Sequence, residues 1–172
     1  MLAGLALLVG AGCGGGDKST GDRTFEADGI GITFRYPATF KPVGKVTFSQ
    51  SAGAQPKARA GVRLDRVNVI VVSRYDLRAK VTRKNLANFK PEVDGVIGRL
   101  AGRRIAGRKV EYGGLPGYEY VISLKSPPNG RSRLAVLFDD ATEYLVNCQS
   151  TPEKRQAVAA ACRQALDTLE RK

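Results

Sequence analysis

Apolar and polar positions alternate along TFEADGIGITFRYPATF, residues 24–40: Phe25 and Ala27, then Ile32, Phe34 and Tyr36. A period of two is that of a half-buried strand. The intervening Asp28-Gly29-Ile30-Gly31 predicts a hairpin turn, and Pro37 ends the second strand because proline cannot donate to a ladder. Residues 46–48 predict a further short strand, and 49–61 an aperiodic surface loop. RVNVIVVSRY, residues 66–75, is β-branched and almost continuously apolar, the pattern of a central strand covered on both faces. From residue 82 to 101 the period lengthens. Leu86, Phe89, Val93, Val96, Ile97 and Leu100 fall three or four apart and share one helical face, with Thr82 placed to cap the helix and Pro91 to kink or split it.

Strand patterns then resume. VEY and YEYVISLK flank Gly113-Gly114-Leu115-Pro116-Gly117, a tight-turn composition. SPPNGRS predicts a second turn, RLAVLF a strand, DDA a turn and TEYLVNC a strand, giving an antiparallel meander. The last pattern, from Pro152 to about Arg171, is helical, with Val158, Ala161, Cys162, Ala165, Leu166 and Leu169 on one stripe. Thr151 is placed to cap it, Pro152 suits its first position, and Glu153, Arg171 and Lys172 complement its dipole. The elements together predict an α+β domain with helices packed on an antiparallel sheet around a single hydrophobic core. There is no internal repeat.

Composition narrows the chemistry. The chain of 172 residues carries 28 Lys and Arg against 16 Asp and Glu, a formal charge of +12. Such a surface attracts anions. The charges are scattered, so a uniformly solvated basic surface accounts for them as well as a phosphate-bearing partner does. Histidine is absent. The usual general base at neutral pH, the usual zinc ligand and both Ser/His and Cys/His nucleophile pairs are thereby excluded.

The first eleven residues, MLAGLALLVGA, are apolar and uncharged, too few to span a bilayer as a helix of about 20 residues, and fit the core of a secretory signal. Small residues Gly10, Ala11 and Gly12 precede Cys13, and GGGDKSTGD follows. This arrangement resembles a bacterial lipoprotein signal, with Gly10 standing where Leu is usual and no cation ahead of the apolar run. The resemblance implies a signal over residues 1–12, a diacylated Cys13 as the mature N-terminus, a flexible tether over 13–23 and a folded domain over 24–172. An ordinary secretory signal with an incidental cysteine is the other reading, and both place the domain outside the cytoplasm. With Cys13 given to lipid, Cys148 and Cys162 remain as a pair. Cys148 ends a strand pattern and Cys162 lies on the buried stripe of the following helix, which predicts a bridge between them, against two buried free thiols.

GIGITFRYPATF, EYGGLPGYEY and EYLVNCQSTPEKRQAVAAACRQALDTL together resemble the small extracytoplasmic lipoproteins of the PsbP-like fold, common in actinobacteria and related to the extrinsic photosystem II subunit. The likeness spans about residues 24–170. It implies an α/β/α sandwich with a central antiparallel sheet flanked by helices, and a non-enzymatic accessory or docking role at an envelope or membrane. It carries over no functional residue set, because the matching motifs are turns, strand starts and the cysteine-bearing helix.

Motifs for catalysis are missing from the sequence: there is no Gly-x-Ser-x-Gly elbow, no Ser-x-x-Lys and no phosphate-binding glycine loop. Asp139, Asp140 and Glu143 form the one carboxylate cluster, and their place at a predicted hairpin tip favours a turn over a calcium site. The expectation is a protein that is not an enzyme and needs no cofactor or metal. Arg99, Arg103, Arg104, Arg108 and Lys109 form the candidate anion-binding segment, suited to anionic lipid or cell-wall phosphate, or else simply the solvated end of a helix. Partners are accordingly a membrane reached through the anchor and an envelope protein or an apolar ligand, but not nucleic acid, since no aromatic-interleaved motif accompanies the charge. A domain whose helix and sheet part around a lipid is the alternative to a docking module; a basic face without a cavity would indicate docking, and an enclosed apolar pocket a carrier.

Overall fold

The computed structural model describes residues 21–43 and 55–172. The expected signal, Cys13, most of the tether and the strand predicted at 46–48 lie outside the described residues. The hairpin forms as its alternation requires: β1 (Asp22–Phe25) pairs antiparallel with β2 (Ile32–Pro37). Its turn uses left-handed backbone at Gly29 and Gly31, and Phe25 stacks on Phe34 with ring centroids 4.4 Å apart. β3 (Lys41–Val43), β4 (Ala58–Arg63) and β5 (Val69–Val81) follow. β4 takes in residues 58–61, which the sequence pattern assigns to a loop; glycine and small residues hide the strand because Gly61 lies against the β5 backbone, where no side chain fits. β5 has the predicted central place.

After α1 (Leu86–Ala101) come β6 (Arg108–Tyr112), β7 (Leu115–Ser123) and β8 (Arg131–Ser150), and the six-stranded sheet runs β3-β4-β5-β8-β7-β6 with every pair antiparallel. The turn between β6 and β7 is only Gly113-Gly114, both at positive φ, while Pro116 and Gly117 belong to the strand. Two consecutive left-handed residues match the twist of a two-residue hairpin, which is why glycine occupies both.

β8 corrects the predicted meander. RLAVLF and TEYLVNC are not separate strands: they are two halves of one 20-residue strand, and Asp139-Asp140 is not a turn tip. Residues 131–137 pair with β7, whereas 140–149 pair with β5. Asp140 sits at φ 51°, where the register with β5 is irregular. The sides of the strand invert across this break. Before it, Leu134, Val136 and Phe138 join one core and Ala135 and Leu137 the other; after it, Tyr144, Val146 and Cys148 join the core of Ala135 and Leu137. A one-residue break in a strand's alternation exchanges its two faces, and here residues 77–80 of β5 bulge opposite the single residue Ala141. In the sequence, that exchange imitates a turn.

The helices cover opposite faces of the sheet. α1 lays Leu86, Val93 and Ile97 on Tyr118, Tyr120 and Ile122, while α2 (Arg155–Asp167) lays Val158, Ala161, Cys162, Ala165 and Leu166 on the other side. There are thus two cores where the sequence suggests one, because a sheet apolar on both sides separates them. α1 starts at Leu86 rather than at Thr82. Both the Thr82 amide (2.7 Å) and its hydroxyl (3.1 Å) donate to Asn85 Oδ1, so the Thr82 side chain caps no helix amide, while its carbonyl accepts from the amides of Asn85 and Leu86. Pro91 does not split the helix: the carbonyl it leaves unpaired is that of exposed Ala87, which water can satisfy.

α2 likewise begins at Arg155, with residues 152–154 in a turn and the Thr151 amide donating to Asn68 Oδ1 at 2.8 Å. Its carboxyl end is also shorter than predicted. Glu170–Arg171 forms β9, which pairs with Thr33 and Ile32 of β2 and closes a three-stranded sheet β1-β2-β9 over α2. Arg171 therefore serves Asp139 at 3.2 Å, not the helix dipole.

Cys148 and Cys162 form the predicted disulfide, their Cα atoms 6.0 Å apart. It fastens the last third of β8 to the middle of α2. Closing a loop over a separation of 14 residues stabilises the domain by about 3 kcal/mol in the chain-entropy model. Reduction, or Cys148→Ala with Cys162→Ala, is expected to lower the unfolding free energy by that order in urea titrations; an unchanged midpoint would refute the contribution. Gly117 offers a sharper steric test. A Cβ there would strike the Val136 carbonyl and the Leu137 backbone of β8. Gly117→Ala should cost several times the roughly 1 kcal/mol of an ordinary strand substitution, measured in the same titration.

Candidate functional site

Asp94 of α1 fixes the approach to the basic segment. It accepts from the Tyr120 hydroxyl at 2.8 Å and the Gly107 amide at 3.0 Å, and pairs with Lys90. Burial works to raise its pKa, but hydrogen bonds from Lys90, Gly107 and Tyr120 outweigh that and hold the carboxyl below its ordinary value. The anion thus ties α1, β7 and the start of β6 together. Between these ties the chain turns at Gly102, at φ 66°, and exposes Arg103 and Arg104.

The five residues of the candidate anion site are not brought together as one patch. Arg99 is exposed in the last turn of α1, and it, Arg103 and Arg104 make no ion pair among the described residues. Arg108 and Lys109 are successive residues of β6 and point to opposite faces. Arg108 faces Glu119, its cross-strand partner, at 3.0 Å. Lys109, opposite Tyr118, lies on the α1 side. One cation is therefore spent on a structural pair, and the others follow the edge of the sheet nearest the α1 terminus.

Glu119 leads to a second region, which sequence reasoning misses. It also accepts from Arg133, at 2.6 Å, and from the Tyr112 hydroxyl, at 2.8 Å. Burial pushes the Glu119 pKa up, and the hydrogen bonds from Arg133, Tyr112 and Arg108 more than reverse it, so the carboxylate stays ionised. Beside this cluster an open groove of about 240 Å³ runs between α2 and the β7–β8 rungs. Val121, Val158, Ala159 and the two disulfide cysteines line its apolar part, and Arg131, Arg133 and Arg155 its polar part. Val121 is half exposed, at 50%. Its place opposite Arg133 follows from the register, as does that of Ser123 opposite Arg131. Arg155 donates to the Asn129 carbonyl at 2.9 Å, and its Nε is buried without a hydrogen-bond partner. The sequence signal for this groove is slight: Val121 interrupts the polar side of β7 between Glu119 and Ser123, and Arg131 and Arg133 alternate.

The carboxylates singled out by sequence disperse. Asp139 pairs with Arg171, Asp140 with Lys80 at 3.5 Å, and Glu143 lies on the opposite side of β8, partly buried near Glu92 of α1. No group of three or more Cys, Asp or Glu positioned to hold a metal occurs among the described residues. A second depression, of about 210 Å³, includes Asp139, Asp140, Arg83 and Arg171, whose charges are matched in ion pairs that also engage Glu111 and Lys80. No helix among the described residues is long and apolar enough to cross a membrane.

No protein-family model matches the chain, and no curated protein matches it in sequence. Solved structures do. Cyanobacterial PsbP (CyanoP) from Synechocystis sp. PCC 6803 superposes with a TM-score of 0.59 at 12% identity, over 94% of this chain and 98% of that one. A protein from Bacteroides thetaiotaomicron gives a TM-score of 0.56 at 11% identity over 89% of this chain. This chain spans 49% of the length of that second protein. The chain has a PsbP-like α+β fold, with two helices against antiparallel sheets.

Glu143 supplies a test of the α1 face. Burial, reinforced by the Glu92 charge, raises its pKa to about 7. A carboxyl raised above its unfolded value of about 4.3 favours folding most below that value, and the advantage is lost as pH rises through 7. Glu143→Gln should be more stable than the parent at pH 8, by roughly 2–3 kcal/mol, and similar to it at pH 4 to 5. Parallel stability profiles across that range would show that Glu143 does not carry the effect.

Proposed function

We propose that this chain is an extracytoplasmic module, anchored to the outer face of the cytoplasmic membrane by lipid on Cys13, that docks on an anionic envelope partner and performs no catalysis. The observation that carries the reading is the placement of charge on a filled fold. Side chains pack both faces of the sheet, and the two depressions are open and small, while Arg99, Arg103, Arg104, Arg131 and Arg155 stand outside any ion pair among the described residues. Pockets that enclose small molecules run to about 300–1,000 Å³ and are largely closed. The disulfide supports an oxidising compartment. The apolar residues ahead of Cys13 support export, and the glycine-rich stretch after it supports a tether that lets the domain reach a partner. Each unpaired cation near an anionic membrane adds on the order of 1 kcal/mol to its attachment.

Native mass spectrometry of the protein gently extracted from its own envelope tests the choice between docking and carriage. A bare domain is expected, together with a discrete protein adduct when intact cells are cross-linked. A lipid or small molecule bound one to one would replace docking with the carrier reading. In the same cells Cys13→Ala should shift the protein from the membrane fraction to the culture fluid; retention on the membrane would remove the anchor from the account.

A further inference from the structure

We infer that the groove beside α2 receives an acidic segment of a partner protein, seating one apolar side chain between Val121 and the Cys148–Cys162 bridge and its carboxylates on Arg131 and Arg155. This rests on the docking reading and adds to it where the partner binds and by what chemistry. The floor is apolar and open: at about 240 Å³ it is below the volume of pockets that enclose a whole ligand, yet roomy enough for a bulky side chain. Val121 stays half exposed on β7, one strand in from the sheet edge, whereas Tyr120 and Ile122 on the other face are buried. Binding energy at protein interfaces concentrates where an anchoring side chain fills a desolvated pocket, and arginine is enriched among such residues.

The charge around the groove fixes the sign of the occupant. Arg133 is engaged by Glu119, whereas Arg131 is exposed and forms no ion pair among the described residues. Arg155 is held in place by its bond to Asn129 yet keeps a buried Nε–H with no acceptor. A buried donor without a partner is uncommon, and a guanidinium is matched best by a carboxylate. An acidic flank on the incoming segment would meet the Arg131 and Arg155 guanidiniums where they line the groove, not the enclosed Nε. A membrane surface fits less well, since the unpaired cations here border a concave, disulfide-floored notch rather than a broad flat face.

The test is a selection of random twelve-residue peptides on the oxidised full chain. Recovered peptides should share one large apolar residue flanked by Asp or Glu. By fluorescence anisotropy, their affinity should fall at least tenfold in Arg131→Glu and in Val121→Asp, both at exposed positions, and stay within twofold in Arg78→Glu on the distant part of β5. Arg155→Gln should weaken binding while leaving the circular dichroism unchanged. Recovery of no common sequence, of a basic one, or of peptides indifferent to these variants would overturn the assignment. So would phosphatidylglycerol vesicles that bind the parent and lose the same variants, because the groove would then serve lipid. If cells still give the cross-linked protein adduct in Arg131→Glu and Val121→Asp, docking stands and the groove is not its seat.

Discussion

A break in the alternation of β8 at Asp140 organises the molecule. The break lets a single strand serve β7 with its first half and β5 with its second, joining the two halves of the sheet. Because the break exchanges faces, Cys148 ends on the side of α2, where Cys162 meets it. Without the exchange, the same apolar positions would turn toward α1, and neither the disulfide nor the core under α2 could form. The groove depends on it as well: Arg131 and Arg133 come from before the break and Cys148 from after it, yet all three border one notch.

Charge is distributed according to the two cores. Half-buried Arg133 pairs with Glu119, which also accepts from Tyr112 and from the exposed Arg108, so one carboxylate serves two guanidiniums and the cluster keeps a net positive charge. Where arginine lies outside, at the end of α1 or along the groove, it is left to solvent or to a partner. A net charge of +12 is thus neither uniform nor gathered into one face. The basic segment at 99–109 splits because β6 alternates, sending Arg108 and Lys109 to opposite sides. A linear run of cations on a strand is two half-runs in space.

Periodicity determined most of the elements. The hairpin at 24–37, the central strand, both helical stripes and the cysteine bridge were legible because each is a local pattern of two or of three and four. The stripe Val158, Ala161, Cys162, Ala165, Leu166 and Leu169 is buried throughout. Errors fell where a local rule was overridden by a neighbouring chain. Thr82 yields its capping role to a bond with Asn85, and Arg171 leaves the helix to pair with β2 because the hairpin offers it a strand edge. Gly61 and Gly117 look like loop residues and are strand residues pressed against adjacent backbones.

By itself the sequence determined an α+β domain, its bridged cysteines and the absence of histidine chemistry, since these follow from composition and from spacing along one chain. Tertiary structure alone decided that the sheet has two cores, that Asp139 and Glu143 face opposite ways, and that Val121, Arg131 and Arg155 share a groove. Those facts depend on strand parity and on pairing between segments tens of residues apart, and one break in alternation reverses them while leaving the local pattern almost unchanged.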